Sequence, residues 1–183
     1  AEATGASEVL SSALEKPHIE RAGTKVTRPV EDGEFMNLGD VMLQFIITPG
    51  HTLGSLCVLY VAEAVLFTGD TILGTGTTSV NPEQGDMRLY MESLSKLLVL
   101  NARIIGPGHG PIVDRPREHI QQVLDRRIER ERQILELLRM GATTVDEMFY
   151  SIYDDLESRR GQVAWRQILS HLIRKCGYPN HRC

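Results

Sequence analysis

Val41, Leu43, Phe45 and Ile47 alternate with mostly less apolar neighbours, the two-residue period of a half-buried strand. Thr48-Pro49 must end that strand, because proline removes a ladder donor and Gly50 permits a sharp change of direction. Two further apolar runs, "SLCVLYV" (55–61) and "AVLFTGD" (64–70), are separated by little more than Ala62 and Glu63 and predict a hairpin. Met87, Tyr90, Met91, Leu94, Leu97 and Leu98 mark one face of a helix over about 86–100. "ARIIGPGHG" then reads as a short strand that breaks at Gly106-Pro107-Gly108. Before the first strand, residues 7–15 ("SEVLSSALE") read as a short amphipathic helix, followed by a polar connector containing Pro17, Gly23 and Pro29.

From Asp114 onward the period is helical. Pro116 suits a first turn, and Ile120, Val123, Leu124, Ile128, Ile134, Leu135 and Leu138 keep helical spacing until Gly141. Thr144 and Glu147 are placed as a capping box for a second helix with Met148, Phe149, Ile152, Tyr153 and Leu156 on its apolar stripe. A last helix over about 162–175 presents Val163, Trp165, Ile168, Leu169 and Leu172 before Gly177 and Pro179. The pattern thus predicts an α/β unit over 1–130 and a compact three-helix tail over 131–183.

Composition changes this picture little: 183 residues, 42% hydrophobic and 24% charged, are ordinary for a globular chain. No apolar run approaches a bilayer span, and residues 1–30 lack the basic start and apolar centre of a signal peptide, so no membrane partner is expected. The chain begins at Ala1 without a methionine, which suggests a fragment or processed product. Cys57, Cys176 and Cys183 are odd in number and lack metal-type spacing, and Cys57 lies in a strand pattern as a small core residue. A reducing compartment, cytoplasm or mitochondrial matrix, is expected. Charge divides as −7 over residues 1–114 and +3 over 115–183, which points to two units with different partners.

The candidate chemistry lies at three strand ends built alike: "TPGHT" delivers His51, "FTGDT" delivers Asp70 and "GPGHG" delivers His109. Two imidazoles and a carboxylate at one end of a sheet are good ligands for zinc or manganese, with His–zinc bonds of roughly 2.0–2.1 Å. A carboxylate has two oxygens and can bridge two metals, which puts Asp70 between the histidines. His18, His119, His171 and His181 stand alone, and His119 and His171 read as surface or satisfied residues. The loop "GTGTT", with Gly74, Gly76, Thr77 and Thr78, offers amides and hydroxyls that suit a substrate or phosphate, or else serves as a connector. The run "DRRIERER" (125–132) reads as a solvated helix face with i,i+4 pairs rather than a phosphate track.

These motifs, together with "FTGDTILGTGTTSVNPEQGDMRLYMESL" and "IIGPGHGPIVD", resemble the metallo-β-lactamase superfamily across residues 35–139. Within it they are similar to the branch of the beta-lactamase-like protein 2 type endoribonucleases. The resemblance implies an αββα sandwich, of which this chain holds the C-terminal half, and a winged-helix-like tail, which residues 131–178 resemble. It also implies a site for two zinc ions, one served by His51 and Asp70 and the other by Asp70 and His109.

The family's His-x-His-x-Asp-His string, which supplies four further ligands, is absent from the 183 residues. Either it lies upstream, or Thr4, Gly5 and Ala6 mark the place just after it and Glu2-Ala3 stand where Asp-His belongs. With three ligands, this chain alone is expected to bind metal weakly and to be inactive or nearly so. The expected parent activity is endonucleolytic cleavage of single-stranded RNA. The alternatives are thioester or lactone hydrolysis of the glyoxalase II kind and a non-catalytic scaffold. Basic residues of the tail, among them Arg126, Arg127, Arg130, Arg160, Arg174 and Lys175, are interleaved with acids, so the resemblance supports RNA more than the charge does.

Overall fold

The computed structural model describes residues 5–153 and 158–176. Glu2, Ala3, Leu156, Gly177 and Pro179 lie outside them.

Strand order follows the hydrophobic pattern closely. A five-stranded sheet runs β3 (Phe35–Leu38), β4 (Val41–Ile47), β5 (Leu56–Tyr60), β6 (Val65–Gly69) and β7 (Ile104–Pro107). The first four are antiparallel neighbours; β6 and β7 are parallel, and α2 (Met87–Leu98) provides the crossover that a parallel pair requires. The β5–β6 hairpin turns through residues 61–64, with Ala64 at φ +51°. Asp86 caps α2, its carboxylate accepting from the Leu89 amide at 2.9 Å.

One face of the sheet is covered by helices. Ile46, Cys57, Leu66 and Ile105 pack with Tyr90, Leu94 and Leu97 of α2 and with Ile120 and Val123 of α3 (Pro116–Arg139). Cys57 is fully buried, and burial pushes its thiol up to about 11. On the opposite face Phe45, Val58 and Phe67 stand in one cross-strand row, and Phe67 is 50% exposed.

The N-terminal expectation is corrected. Residues 10–12 are not helical: β1 (Leu10–Ser12) pairs in parallel with β2 (Arg28–Val30), and the helix is α1 (Lys16–Arg21), with Pro17 in its first turn. Pairing with a segment some eighteen residues away overrode the local period. The Val9 amide donates to Thr27 Oγ1, and the buried Ser12 hydroxyl donates to the Gly54 carbonyl at 2.6 Å.

The tail comprises the end of α3, α4 (Val145–Ile152) and α5 (Arg159–Cys176) around Ile134, Met148, Phe149 and Ile168. The Thr144/Glu147 capping box is formed. Helix α3 runs unbroken through residues 130 and 131, with Ile120 and Val123 in the main core and Ile134 in the tail core. Among the described residues no strand follows β7. None of the described helices is long and apolar enough to cross a membrane.

Candidate metal centre

His51 follows β4 in a tightly clasped turn. Gly50 has φ +148°, and a Cβ there would overlap the Tyr90 Cα, so only glycine lets α2 pack against this backbone. The Gly50 carbonyl accepts from the Asp86 amide, and Ser93 Oγ donates to the Pro49 carbonyl, so both the first turn and the middle of α2 fix the loop.

Asp70 and His109 leave the ends of the parallel pair β6 and β7. The Gly108 amide donates to the Gly69 carbonyl at 2.8 Å, and a Cβ on Gly108 would stand 2.9 Å from Asp70 Oδ1. Gly74 donates its amide to the His109 carbonyl, and a Cβ on Gly74 would overlap the Pro111 carbonyl oxygen. The glycines therefore make room for the two loops to interlock around the carboxylate.

The three side chains meet in two pairs. His51 Nε2 lies 3.8 Å from Asp70 Oδ2, and His109 Nε2 lies 3.6 Å from Asp70 Oδ1. Each imidazole thus faces a different carboxylate oxygen, at a distance too long for a hydrogen bond. Two ligands of one tetrahedral zinc, each about 2.0–2.2 Å from the ion, lie about 3.3–3.6 Å apart, so both pairs suit a shared cation with a small adjustment. Among the described residues no three His, Cys, Asp or Glu side chains converge on one ion.

The tautomer of His51 adds a chemical test. Its Nδ1 lies 2.7 Å from the Ser79 carbonyl, which can only accept, so Nδ1 carries a proton and Nε2, turned toward Asp70, is the ring nitrogen placed to serve as a metal ligand. His109 is 77% exposed at its side chain and keeps Nε2 directed at the same carboxylate. The donor set therefore fits a divalent ion such as zinc or manganese.

The loop after Asp70 is held from the helices. Thr78 Oγ1 donates to the Asp70 carbonyl, and Tyr90 Oη donates to the Thr71 carbonyl at 3.0 Å. His119 Nε2 bonds the Leu73 carbonyl at 2.8 Å, so this histidine is satisfied structurally, as expected. In the contacts formed here, Gly74 and Thr78 serve the loop's own architecture; Gly76 adopts φ +81°, and Thr77 lines a cleft beside α3.

Two residues depart from their reading in the sequence. Arg127 is not on a solvated face: it is 5% exposed, stacks 5.3 Å over Tyr90, and donates to Gln167 Oε1 and the Thr78 carbonyl. Burial pushes its pKa down, and Tyr90 opposes that. His171 is neither exposed nor hydrogen-bonded: it is 1% exposed, and neither ring nitrogen has a partner among the described residues. Burial, with Arg127 and Arg130 nearby, pushes its pKa down to about 3. Glu131, 3.9 Å away, does not reverse this because it is engaged by Arg174 and Lys175.

Sequence reasoning also missed Ser79, Gln167 and Ser170. Gln167 Nε2 donates to the Val80 carbonyl at 3.0 Å, and Ser170 Oγ donates to the same oxygen at 2.6 Å. Helix α5 thereby holds the segment whose carbonyl orients His51.

Comparison with known proteins identifies the family and the fold. Residues 2–109 match the metallo-beta-lactamase superfamily. An atrochrysone carboxyl ACP thioesterase of Aspergillus fumigatus is 39% identical over 139 residues, covering 69% of this chain and 43% of that protein. A beta-lactamase-like protein 2 homolog of Caenorhabditis elegans is 40% identical over 110 residues, covering 60% of this chain and 36% of its own length. The chain thus spans less than half of either relative. A metallo-beta-lactamase family protein from Thermus thermophilus superposes with a TM-score of 0.68 at 25% identity, over 83% of this chain and 50% of that one. A beta-lactamase domain protein from Burkholderia ambifaria gives 0.71 at 20% identity, over 87% and 53%, and so shares the fold. On its sheet and these matches, the chain belongs to the metallo-beta-lactamase superfamily.

Proposed function

We propose that this chain contributes one side of a dinuclear metal site in a hydrolase whose substrate is an activated acyl group, a thioester or ester. The observation that carries the reading is Asp70, whose two oxygens face two different imidazoles. His51 with Asp70 would hold one ion and Asp70 with His109 the other, with zinc preferred and manganese acceptable to the same donors. A bound divalent ion supplies Lewis acidity toward a carbonyl or phosphoryl oxygen. The residues of this chain supply orientation: the Ser79 carbonyl holds the His51 ring, and Thr78 fixes the backbone of Asp70. Two ligands per ion leave coordination positions to be filled, so the donors within these 183 residues are expected to bind metal weakly by themselves.

The acyl substrate is favoured over RNA for two reasons. The Aspergillus relative, 39% identical over 69% of the chain, is a thioesterase. Much of the tail's basic charge is also neutralised, with Arg132 paired to Glu129 and Glu136, and Arg174 and Lys175 to Glu131. Cleavage of single-stranded RNA is the second reading, supported by the 40% identity to the beta-lactamase-like protein 2 homolog. A reducing compartment, cytoplasm or mitochondrial matrix, belongs to the same proposal, since Cys57 is a free and buried thiol.

The test, made on the full-length parent protein, combines zinc and manganese content by plasma mass spectrometry, for wild type and Asp70→Asn, with turnover of an acyl-thioester and of single-stranded RNA. Metal above the Asp70→Asn background with thioester turnover supports the proposal. RNA cleavage without thioester turnover moves the substrate to the second reading. Metal no higher than that background overturns the site and leaves a scaffold role.

A further inference from the structure

We propose that the cleft between α3, α5 and residues 77–79, whose lining includes none of His51, Asp70 and His109, binds a small organic phosphate. The cleft encloses about 520 Å³, within the range of about 300–1,000 Å³ usual for small-molecule sites. Arg126, Arg127, Arg130 and Arg160 line it, against Asp125 and Glu129. Glu129 is itself paired with Arg132, which stands outside the lining.

Two buried guanidinium donors lack an acceptor. Arg127 Nε and Arg130 Nη1 are both buried without a hydrogen-bond partner among the described residues, and Arg127 as a whole is only 5% exposed. An unsatisfied buried donor of this kind is costly, and an oxyanion is the acceptor that best relieves it. Both groups are fixed in advance. Arg127 is held through its other nitrogens by Gln167 and Thr78, and Arg130 lies 4.6 Å over the Tyr153 ring. Ordering a guanidinium before the ligand arrives lowers the entropy lost on binding.

The remaining walls describe the rest of the ligand. Tyr153, Val163 and Ala164 give an apolar side, and the buried Gln133 Oε1 has no donor among the described residues, so it suits a ligand hydroxyl or amide N–H. Four arginines against two carboxylates leave an excess of two positive charges among the described lining residues, which matches one phosphate dianion. A nucleic-acid strand asks for a row of unpaired cations along its backbone. Arg132, Arg174 and Lys175, which would extend such a row, are paired with acids. The occupant is therefore one phosphate ester carrying a body of modest size.

Isothermal titration of the metal-free 183-residue chain with phenyl phosphate, phenol and hexauridylate tests this. The expected result is one-to-one binding of phenyl phosphate and none of phenol. Arg130→Gln and the exposed Arg160→Gln should each weaken binding by about tenfold, and Arg103→Gln, at a surface arginine paired with Glu63 outside the lining, should leave it unchanged. Arg160 lies at the exposed start of α5, outside both buried cores, so its variant stays informative if Arg130→Gln melts early. Absence of phenyl phosphate binding, unchanged affinity in Arg160→Gln, or hexauridylate binding about tenfold more tightly than phenyl phosphate would each overturn the proposal.

Discussion

Asp70 is the side chain on which the metal reading turns. Replacing it with asparagine keeps the shape but removes the charge that both imidazoles face, so Asp70→Asn is expected to lower zinc affinity by more than about tenfold, read by competition with a chromophoric chelator. Equal affinity in the two proteins would remove Asp70 from the site. Gly50 acts through backbone alone: alanine there would overlap the Tyr90 Cα, and would do so in a left-handed conformation. Gly50→Ala should cost about 2–4 kcal/mol, visible as a lower urea midpoint. At this scale His51, Asp70 and His109 were legible because each follows an apolar strand and is flanked by glycine. Ser79 was not legible, since it orients His51 through a carbonyl that every residue possesses.

Among the elements, α5 links the tail to the site. Its buried stripe includes Gln167, Ser170 and His171 beside the apolar Ile168, so a search for apolar period alone found the helix and missed its polar contact with Val80. Gln167→Leu should leave helix content unchanged and cost about 1–3 kcal/mol, with faster amide exchange confined to residues 77–80. Exchange spread over the sheet would mean that α5 acts only on global stability.

His171 makes α5 sensitive to acid. Its pKa is pushed down from 6.5 to about 3 in the folded chain, so across that window the unfolded state binds a proton that the folded state refuses. Stability is therefore unaffected by this group above pH 6.5 and falls as pH is lowered toward 3. Urea midpoints should show that decline, and His171→Leu should flatten it. The misread N-terminal segment belongs to this scale too: Val9 to Ser12 has a helix-compatible period, and only its distant partners Thr27 to Val30 make it a strand.

For the molecule as a whole, the sheet is covered by helices on one face and carries the row of Phe45, Val58 and Phe67 on the other, with Phe67 half exposed. Expressed alone, the 183-residue chain is expected to self-associate through that face, measured by sedimentation with a hydrophobic dye as a second probe. A monomer with a cooperative melt and no dye binding would show that the face is sufficiently covered.

The sequence by itself determined the β4 to β7 strands, the α2 to α5 helices and the residues offered at the strand ends. Alternation, helical period, capping and glycine placement are local properties, and each is written within a few neighbouring positions. The tertiary structure alone set the separations of 3.8 and 3.6 Å at which the two imidazoles meet the Asp70 carboxylate. It also decided that Arg127 is buried, and that a helix about ninety residues downstream of Val80 steadies the segment whose carbonyl orients His51. Those outcomes depend on distance and burial between segments remote in the chain, and no local pattern encodes either quantity.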